Sequence, residues 1–195
     1  MFPTDDFESI QAELISFTKA AELRLFRYRS KSSKSPHYKF MLQSQLKNYR
    51  DFSRIDAVLD SYCGEFEIFA LKNPMVSHKT NTGLFLHSNA NRGAKSIVVG
   101  GFAASQVDAV AAGDFIQINS SKKAYRILSD ADANAAGQVT IQLTQALIKD
   151  YLSPATITYG DDVEFQVSMV DRDSDSTDAS KGKWGSHFVE LVEQL

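Results

Sequence analysis

A run of aspartates near the end of the chain has the residue type and spacing that could bind calcium: Asp171, Asp173, Asp175 and Asp178. Carboxylate oxygens are the ligands that Ca²⁺ prefers, but an EF-hand loop also needs glycine at its sixth position and glutamate at its twelfth. Counted from Asp171, those positions hold Ser176 and Gly182. The pattern therefore predicts a solvated polar loop over 171–183, with a weak surface cation site as the alternative.

The histidines and the cysteine lack the spacing of a metal site. No His-Glu-x-x-His pattern and no paired helical spacing joins the four histidines, which are His37, His78, His87 and His187. Cys63 is the one cysteine, so an intramolecular disulfide and a cysteine-based zinc cluster are excluded. We expect Cys63 to be a small buried or half-buried thiol.

Aspartates and glycines in the middle of the chain are the remaining candidates for chemistry. Three carboxylates could act as acid and base but flank predicted turns, where aspartate is common: Asp114, Asp130 and Asp132. Three glycines lack the pattern of a phosphate-binding loop and are predicted to be turn residues: Gly93, Gly100 and Gly101. The sequence thus predicts no catalytic, cofactor-binding or metal-binding residue, and a protein that is not an enzyme.

Composition limits the class of protein further. The chain has 195 residues and a net charge of -3, so global charge gives no case for nucleic-acid binding. The segment 1–6 is acidic, unlike a signal peptide, and no apolar stretch reaches the ~18 residues of a membrane span. We expect a globular protein, with no membrane partner, that folds in a reducing cytoplasm.

The first part of the chain predicts strands around one helix. Residues 7–30 fit either a helix or a strand, although 22–29 alternates and favours a strand. Residues 38–46 predict a strand, and 53–63 predict a helix that Ser53 and Asp56 would cap and Gly64 would end. A further strand is predicted over 65–71.

The rest of the chain predicts short strands and turns. Candidate strands cover 83–87, 96–99, 114–118, 124–128 and 139–143, which suggests a small barrel or sandwich. Residues 161–170 and 184–195 predict two closing strands, with Phe188 and Val192 as core contacts. The predicted plan is one domain from 1–74 plus 158–195, interrupted by an inserted domain over 75–157, because the closing strands need partners for their edges.

Basic and aromatic residues form a band in the first quarter of the chain: Lys19, Arg24, Arg27, Tyr28, Arg29, Lys31, Lys34, Tyr38, Lys39, Phe40 and Lys47. Such a band is compatible with a nucleic-acid face. The second half is acidic, however, and complementary ends favour head-to-tail contacts between like subunits of a ring.

The order of these segments resembles the distal tail proteins (Dit) of siphophages, the long-tailed bacteriophages. The run from Ala112-Gly113-Asp114-Phe115 to Tyr125-Arg126-Ile127 is similar to one found in the inserted domain of many such proteins. The segments 7–10, 39–46, 52–64, 65–69 and 188–195 are similar, in order, to the opening strand, the strand before the helix, the helix, the strand after it and the closing strand.

This resemblance implies a mainly β protein with a ring-forming (belt) β-sandwich domain and an inserted OB-like β-barrel. It implies a structural virion protein at the distal end of the tail, assembled in the host cytoplasm as a homohexameric ring between the tail tube protein and the baseplate hub or tail-tip protein. DNA would only pass through the lumen, and tail fibre or collar proteins would bind the inserted domain in host attachment. The alternative is an OB-fold module that binds carbohydrate or nucleic acid.

Trp184 is the one tryptophan and begins the predicted closing strand. A core anchor for that strand is the favoured interpretation, because a terminal strand needs something to hold it. The alternative is an exposed contact for a neighbouring subunit.

Overall fold

The computed structural model describes residues 7–15, 18–23, 26–31, 36–45, 47–62, 67–177 and 184–194. The chain divides into two compact units. Unit 1 consists of residues 1–69 and 166–195, and unit 2 consists of residues 70–165. Strands dominate both units, and the described residues contain one α-helix, so the prediction of a mainly β protein with one short helix is confirmed.

The strands of unit 1 come from both ends of the chain. They are β1 (Phe7–Ile15), β2 (Thr18–Leu23), β3 (Phe26–Lys31), β4 (His37–Ser44), β5 (Lys47–Asn48), most of β13 (Glu164–Thr177) and β14 (Trp184–Glu193). The neighbour order β1-β4-β14-β13 is antiparallel throughout, and β5 also pairs with β14. β2 and β3 form a two-stranded sheet of their own. The prediction that 22–29 favours a strand is confirmed for its described residues, which belong to β2 and β3, two strands that pair antiparallel. Residues 24–25 lie outside the described part of the chain.

The helix α1 spans Tyr49–Ser61, four residues earlier than the predicted start. Its N-cap is Asn48, whose side-chain oxygen accepts a hydrogen bond from the Asp51 backbone N–H at 3.1 Å. The predicted capping by Ser53 and Asp56 is therefore wrong, since both lie inside the helix. Gly64, the predicted stop, lies outside the described residues.

The core of unit 1 lies between α1 and one face of the sheet. Ile55 and Leu59, one helical turn apart, are buried on the helix. Val189 and Leu191 of β14 are fully buried, whereas Phe188 and Val192 are half-buried. The predicted core positions on β14 are therefore wrong by one residue, and a shift of one residue moves a strand residue to the other face.

The predicted polar loop over 171–183 is wrong for its first half. β13 continues to Thr177 and pairs with β14, with Asp173 opposite Phe188 and Asp175 opposite Ser186. Aspartate disfavours strands by itself, but pairing with β14 overrides that preference. Residues 178–183 lie outside the described part of the chain.

Unit 2 is a curled antiparallel sheet around its own core. The strand β6 (Phe69–Lys72) precedes this sheet in the chain and is not part of it. The strands of the sheet are β7 (Leu84–Leu86), β8 (Ser96–Gly100), β9 (Phe115–Ile118), β10 (Ala124–Arg126), β11 (Gln138–Gln142) and β12 (Thr156–Tyr159). A single 3₁₀ turn, Gly160–Asp162, follows β12. The neighbour order is β10-β9-β12-β7-β8-β11, and the core contains mainly aliphatic residues from all six strands.

The two end strands of this order are themselves joined. The Leu128 N–H donates to the Gln142 carbonyl at 2.8 Å, and the Thr144 N–H donates to the Arg126 carbonyl at 3.0 Å. These bonds close the sheet into a small barrel and leave less unpaired edge. The sheet has six strands where an OB-fold has five, so the narrower OB-like assignment stays a prediction.

The boundaries of the units differ from those drawn on the sequence. The structure places them after residues 69 and 165, where the sequence suggested 74 and 157. A boundary at 157 would cut β12, whose residues pair with both β7 and β9. The sequence did not predict β12, the short strand that follows Pro154.

Candidate functional site

Asp114, within the motif that runs from Ala112 to Ile127, is a buried carboxylate in unit 2. It accepts hydrogen bonds from the backbone N–H groups of His78 at 2.8 Å and Lys79 at 3.1 Å. The Tyr159 hydroxyl also donates to Asp114, at 2.9 Å, and accepts from the Ala111 N–H at 3.1 Å. Asp114 therefore fastens the 78–79 segment to β12.

The phenol of Tyr159 is held in its neutral form by this arrangement. Burial raises the pKa of Tyr159 above its ordinary range, and the hydrogen bond to Asp114 and its negative charge raise that pKa further. A phenol that keeps its proton is a hydrogen-bond donor to the carboxylate and a poor general base. The pair is thus suited to fixing structure.

The neighbours of Asp114 in the motif also have structural roles. Gly113 has a φ of +95°, which other residues rarely adopt. The Arg126 Nε–H donates to the Gly113 carbonyl at 3.0 Å, and the guanidinium lies 5.7 Å from the centre of the Phe115 ring. The motif therefore builds the β9–β10 hairpin.

The other two aspartates proposed as acid and base also bind backbone amides. Asp130 accepts from the Ala112 N–H and Asp132 from the Asp108 N–H, each at 2.7 Å. Both are exposed, and they accept from different turns. The expectation that these aspartates flank turns is confirmed for Asp114, which follows the turn at 112–113, and for Asp130, which follows a bend at 129. It is wrong for Asp132, which follows the β-bridge at Ala131.

The barrel interior holds a second polar group that the sequence did not reveal. Tyr125 and Tyr151 are buried, with their hydroxyls 3.2 Å apart, and the Tyr151 hydroxyl donates to Ser121 Oγ at 3.3 Å. Lys123, two residues before Tyr125 in the chain, is also fully buried. Tyr125 alternates with Ile127 along the chain, so the sequence pattern could have indicated that its side chain is buried. Tyr151 gives no such signal, because it lies on a single β-bridge outside the regular strands. These hydroxyls bind one another and the Ile148 backbone N–H, which fits a structural network.

The four histidines lie in separate places. His37 is on β4, and His187 is fully buried on β14. In unit 2, His78 and His87 are exposed, and His87 Nε2 lies 3.0 Å from Gln138 Nε2. Cys63 lies outside the described residues. Within the described part of the chain, no three His, Cys, Asp or Glu side chains are grouped so that they could hold a metal ion.

The three glycines do not share one role. Gly93 and Gly101 have positive φ angles of 89° and 104°. Gly100 lies within β8, where an added Cβ would stand 2.9 Å from the Phe85 ring. The turn prediction is therefore wrong for Gly100, whose missing side chain makes room for Phe85.

A charged cluster in unit 1 links the helix to the sheet. Arg172 of β13 pairs with Asp56 and with Asp60, the latter at 2.5 Å. The His187 ring stacks on Phe52 at 4.2 Å, and its Nδ1 lies 4.0 Å from Asp56. The spacing of Asp56 and Asp60, one helical turn apart, was the sequence signal for this cluster. The cluster holds α1 against the sheet.

Most aromatic members of the predicted basic band face the core. Tyr38 and Phe40 are fully buried, so neither can stack on a nucleic-acid base. Lys39 pairs with Glu190 at 2.7 Å. Arg24 and Lys34 lie outside the described residues. The remaining basic positions lie on β2, β3 and β5.

Trp184 pairs through its backbone with Thr177 and Asn48, and its side chain lies outside the described part. Alternation puts position 184 on the same face of β14 as Ser186 and Phe188, which are half-buried. The buried residues of β14 occupy the opposite face. Whether Trp184 is a core anchor or a contact for a neighbouring subunit stays a prediction.

The described residues contain no helix long and apolar enough to span a membrane. No protein-family model matches the chain, and no curated protein matches it.

Proposed function

We propose that this chain is a structural virion protein, a distal tail protein of a siphophage. Copies of the chain form a hexameric ring at the distal end of the tail, which joins the tail tube to the baseplate hub or tail-tip protein. DNA passes through the lumen of the ring at infection without sequence-specific contact. In this role the chain catalyses no reaction and needs no cofactor.

The division of the chain is the observation that carries this proposal. Strands from both ends build one unit, since β4 pairs with β14, while residues 70–165 build a barrel between them. A sheet made from both termini lets an inserted barrel vary without disturbing the strands that would build the ring. This is the plan that the resemblance to distal tail proteins implies.

The use of the polar residues in unit 2 is consistent with a scaffold. Asp114, Asp130 and Asp132 each accept a hydrogen bond from the backbone. An acid–base pair needs carboxylates that face a substrate with suitable pKa values. These side chains instead stabilise turns and a hairpin.

The aromatic residues of unit 2 count against a module that binds carbohydrate or single strands. Such a module needs exposed rings on which sugars or bases can stack. Five rings of this unit are buried: Phe115, Tyr125, Tyr151, Tyr159 and Phe165. Phe102 is half-buried, and Phe85, which is 40% exposed, lies over Gly100.

In the virion, unit 1 makes the contacts with neighbouring copies, the tail tube and the hub. The inserted unit 2 is then free for tail fibre or collar proteins. Assembly takes place in the host cytoplasm.

A reconstruction of the tail tip by electron microscopy tests this function. We expect a closed ring of six copies of this chain between the last tube ring and the hub. A tail tip that contains the chain in any other arrangement, or lacks it, would overturn the proposal.

A further inference from the structure

The space beside Gly113, just before β9 in unit 2, is bounded by nitrogen atoms from two separate segments. A Cβ on Gly113 would stand 3.5 Å from Arg126 Nη2 and 4.0 Å from His78 Nε2. Glycine has no such atom, and the φ of +95° disfavours any other residue at this position. Two side chains that can donate hydrogen bonds therefore lie next to a space that the chain itself leaves unfilled.

Both nitrogens lack a hydrogen-bond partner within the described part of the chain. Arg126 uses its Nε–H for the Gly113 carbonyl, at 3.0 Å, and its guanidinium lies over the Phe115 ring. His78 donates its backbone N–H to Asp114, at 2.8 Å, and its ring is left over. Both side chains are exposed, so an acceptor from another molecule can reach them.

The fold holds both donors in place before any acceptor arrives. Asp114, the residue after Gly113, accepts from the backbone N–H groups of His78 and Lys79, which ties that segment to the glycine. The Nε–H bond ties Arg126 to the same glycine. Little ordering is then needed when an acceptor binds, and that lowers the cost of binding.

The charges around Gly113 favour a carboxylate over a phosphate as the acceptor. The guanidinium of Arg126 is a planar cation whose N–H groups match the geometry of either anion. Negative charge lies close on both sides, however, since Asp114 follows Gly113 and the Ala112 N–H donates to Asp130 at 2.7 Å. Like charge repels a phosphate, which carries nearly two negative charges, more strongly than a carboxylate with one.

We propose that an acidic side chain of a partner protein docks over Gly113, with its carboxylate bound by Arg126 and His78. Two of the most exposed apolar side chains lie two residues from these donors: Val76, 90% exposed, and Leu128, 59% exposed. The segment that fits therefore carries an apolar residue beside its aspartate or glutamate. The proposal rests on the proposed function, which leaves unit 2 free for a tail fibre or collar protein, and adds the docking surface and the chemistry of the segment that binds there.

Peptide binding to the full-length protein tests this site. The probe is the blocked tripeptide acetyl-leucyl-aspartyl-leucine amide, compared with its asparagine analogue, with acetate and with inorganic phosphate at constant ionic strength. Saturation-transfer NMR on the peptide methyl signals gives the dissociation constant, for a monomer or for a ring. The variants are H78A and R126Q. The controls are H87A and R92Q, which change another exposed histidine and another exposed arginine of unit 2.

We expect the aspartate peptide to bind with a Kd of about 1 mM and the asparagine peptide at least ~10-fold more weakly. H78A and R126Q should each weaken binding of the aspartate peptide at least ~10-fold, because each removes a hydrogen bond to a charged acceptor. H87A and R92Q should bind it like the wild type. H78A keeps the backbone bond to Asp114, so its loss of binding is not a loss of fold.

The proposal is overturned if the wild type does not bind the aspartate peptide, if the two peptides bind alike, or if H78A and R126Q bind like the wild type. Tighter binding of phosphate would make this a phosphate site instead. Acetate that binds as tightly as the peptide would reject the docking surface. A ring of this chain in the tail tip, together with no peptide binding, would reject the site and leave the proposed function standing. Specific peptide binding by a chain that is absent from the tail tip would do the reverse.

Discussion

Charged residues are used differently in the two units. In unit 2, aspartates accept hydrogen bonds from backbone N–H groups of nearby turns, and Asp114 does so from a buried position. In unit 1, Arg172 of β13 forms ion pairs with Asp56 and Asp60 of α1. The aspartates of unit 2 thus bind backbone N–H groups, whereas these charged residues of unit 1 bind one another.

This difference should show in the effect of substitutions. A buried carboxylate with several donors is costly to remove, because the donors lose their acceptor. A partly exposed ion pair contributes less stability, because water and salt screen it. We therefore expect substitution of the buried aspartate in unit 2 to lower the free energy of unfolding more than substitution of the paired charged residues of unit 1.

Removal of the barrel is the largest change we consider, and it tests whether unit 1 folds without unit 2. The Asn73 N–H donates to the Val163 carbonyl at 2.8 Å, so the segments that enter and leave the barrel lie side by side. A short Gly/Ser linker in place of residues 74–162 can therefore join them. We expect the shortened chain to unfold cooperatively in urea, monitored by circular dichroism. A chain without a cooperative transition would show that unit 1 depends on unit 2 for its folding.

Asp114→Ala should be the most damaging single change in unit 2. It leaves the N–H groups of His78 and Lys79 and the Tyr159 hydroxyl without their acceptor, which should lower the free energy of unfolding by about 4 kcal/mol. Asp130→Ala is the control, because Asp130 is exposed and accepts from the Ala112 N–H, and should cost about 1 kcal/mol. Equal losses in denaturant titrations of the two variants would mean that Asp114 does not fasten the 78–79 segment to β12.

Sequence periodicity predicted much of the fold, namely the mainly β class, the helix near 53–61 and the strands β7 to β11 within a few residues. It failed where long-range pairing overrides local preference. Asp171–Thr177 is a strand because β14 pairs with it, and the short β12 has partners on both sides. The role of Asp114 could not be predicted either, since its donors come from residues 78, 79 and 159, far away in the sequence.

Two substitutions on opposite faces of β14 can test which face packs in the core. Leu191 is fully buried, so Leu191→Ala should lower the free energy of unfolding by about 2–5 kcal/mol. Phe188 is half-buried on the other face, and Phe188→Ala should cost about half as much or less. A larger loss for Phe188→Ala would restore the core assignment made from the sequence.

Trp184→Ala extends the same test to the start of the strand. Position 184 shares the face of Phe188, so we expect a small change in Tm together with impaired self-association. Tm is measured by differential scanning calorimetry and association by sedimentation. A large fall in Tm would instead support the core anchor.

The smallest expected effect is a dependence of stability on alkaline pH, and it belongs to unit 2 alone. Burial raises the pKa of Tyr159 in the folded chain above that of the unfolded chain, with Asp114 adding to the effect. Above the ordinary tyrosine pKa of about 10, the unfolded chain therefore releases this proton while the folded chain keeps it. Because the unfolded state then binds fewer protons, the free energy of unfolding falls as pH rises above that value.

Tyr159→Phe removes this titrating group. The variant should be less stable than the wild type at neutral pH, since Asp114 and the Ala111 N–H lose a partner. The deficit should shrink as pH rises above about 10, because the wild type loses stability there and the variant lacks that contribution. Urea titrations of both proteins from neutral to alkaline pH measure the difference. A constant deficit across that range would mean that the Tyr159 phenol titrates normally, and that burial and the Asp114 charge do not hold its proton.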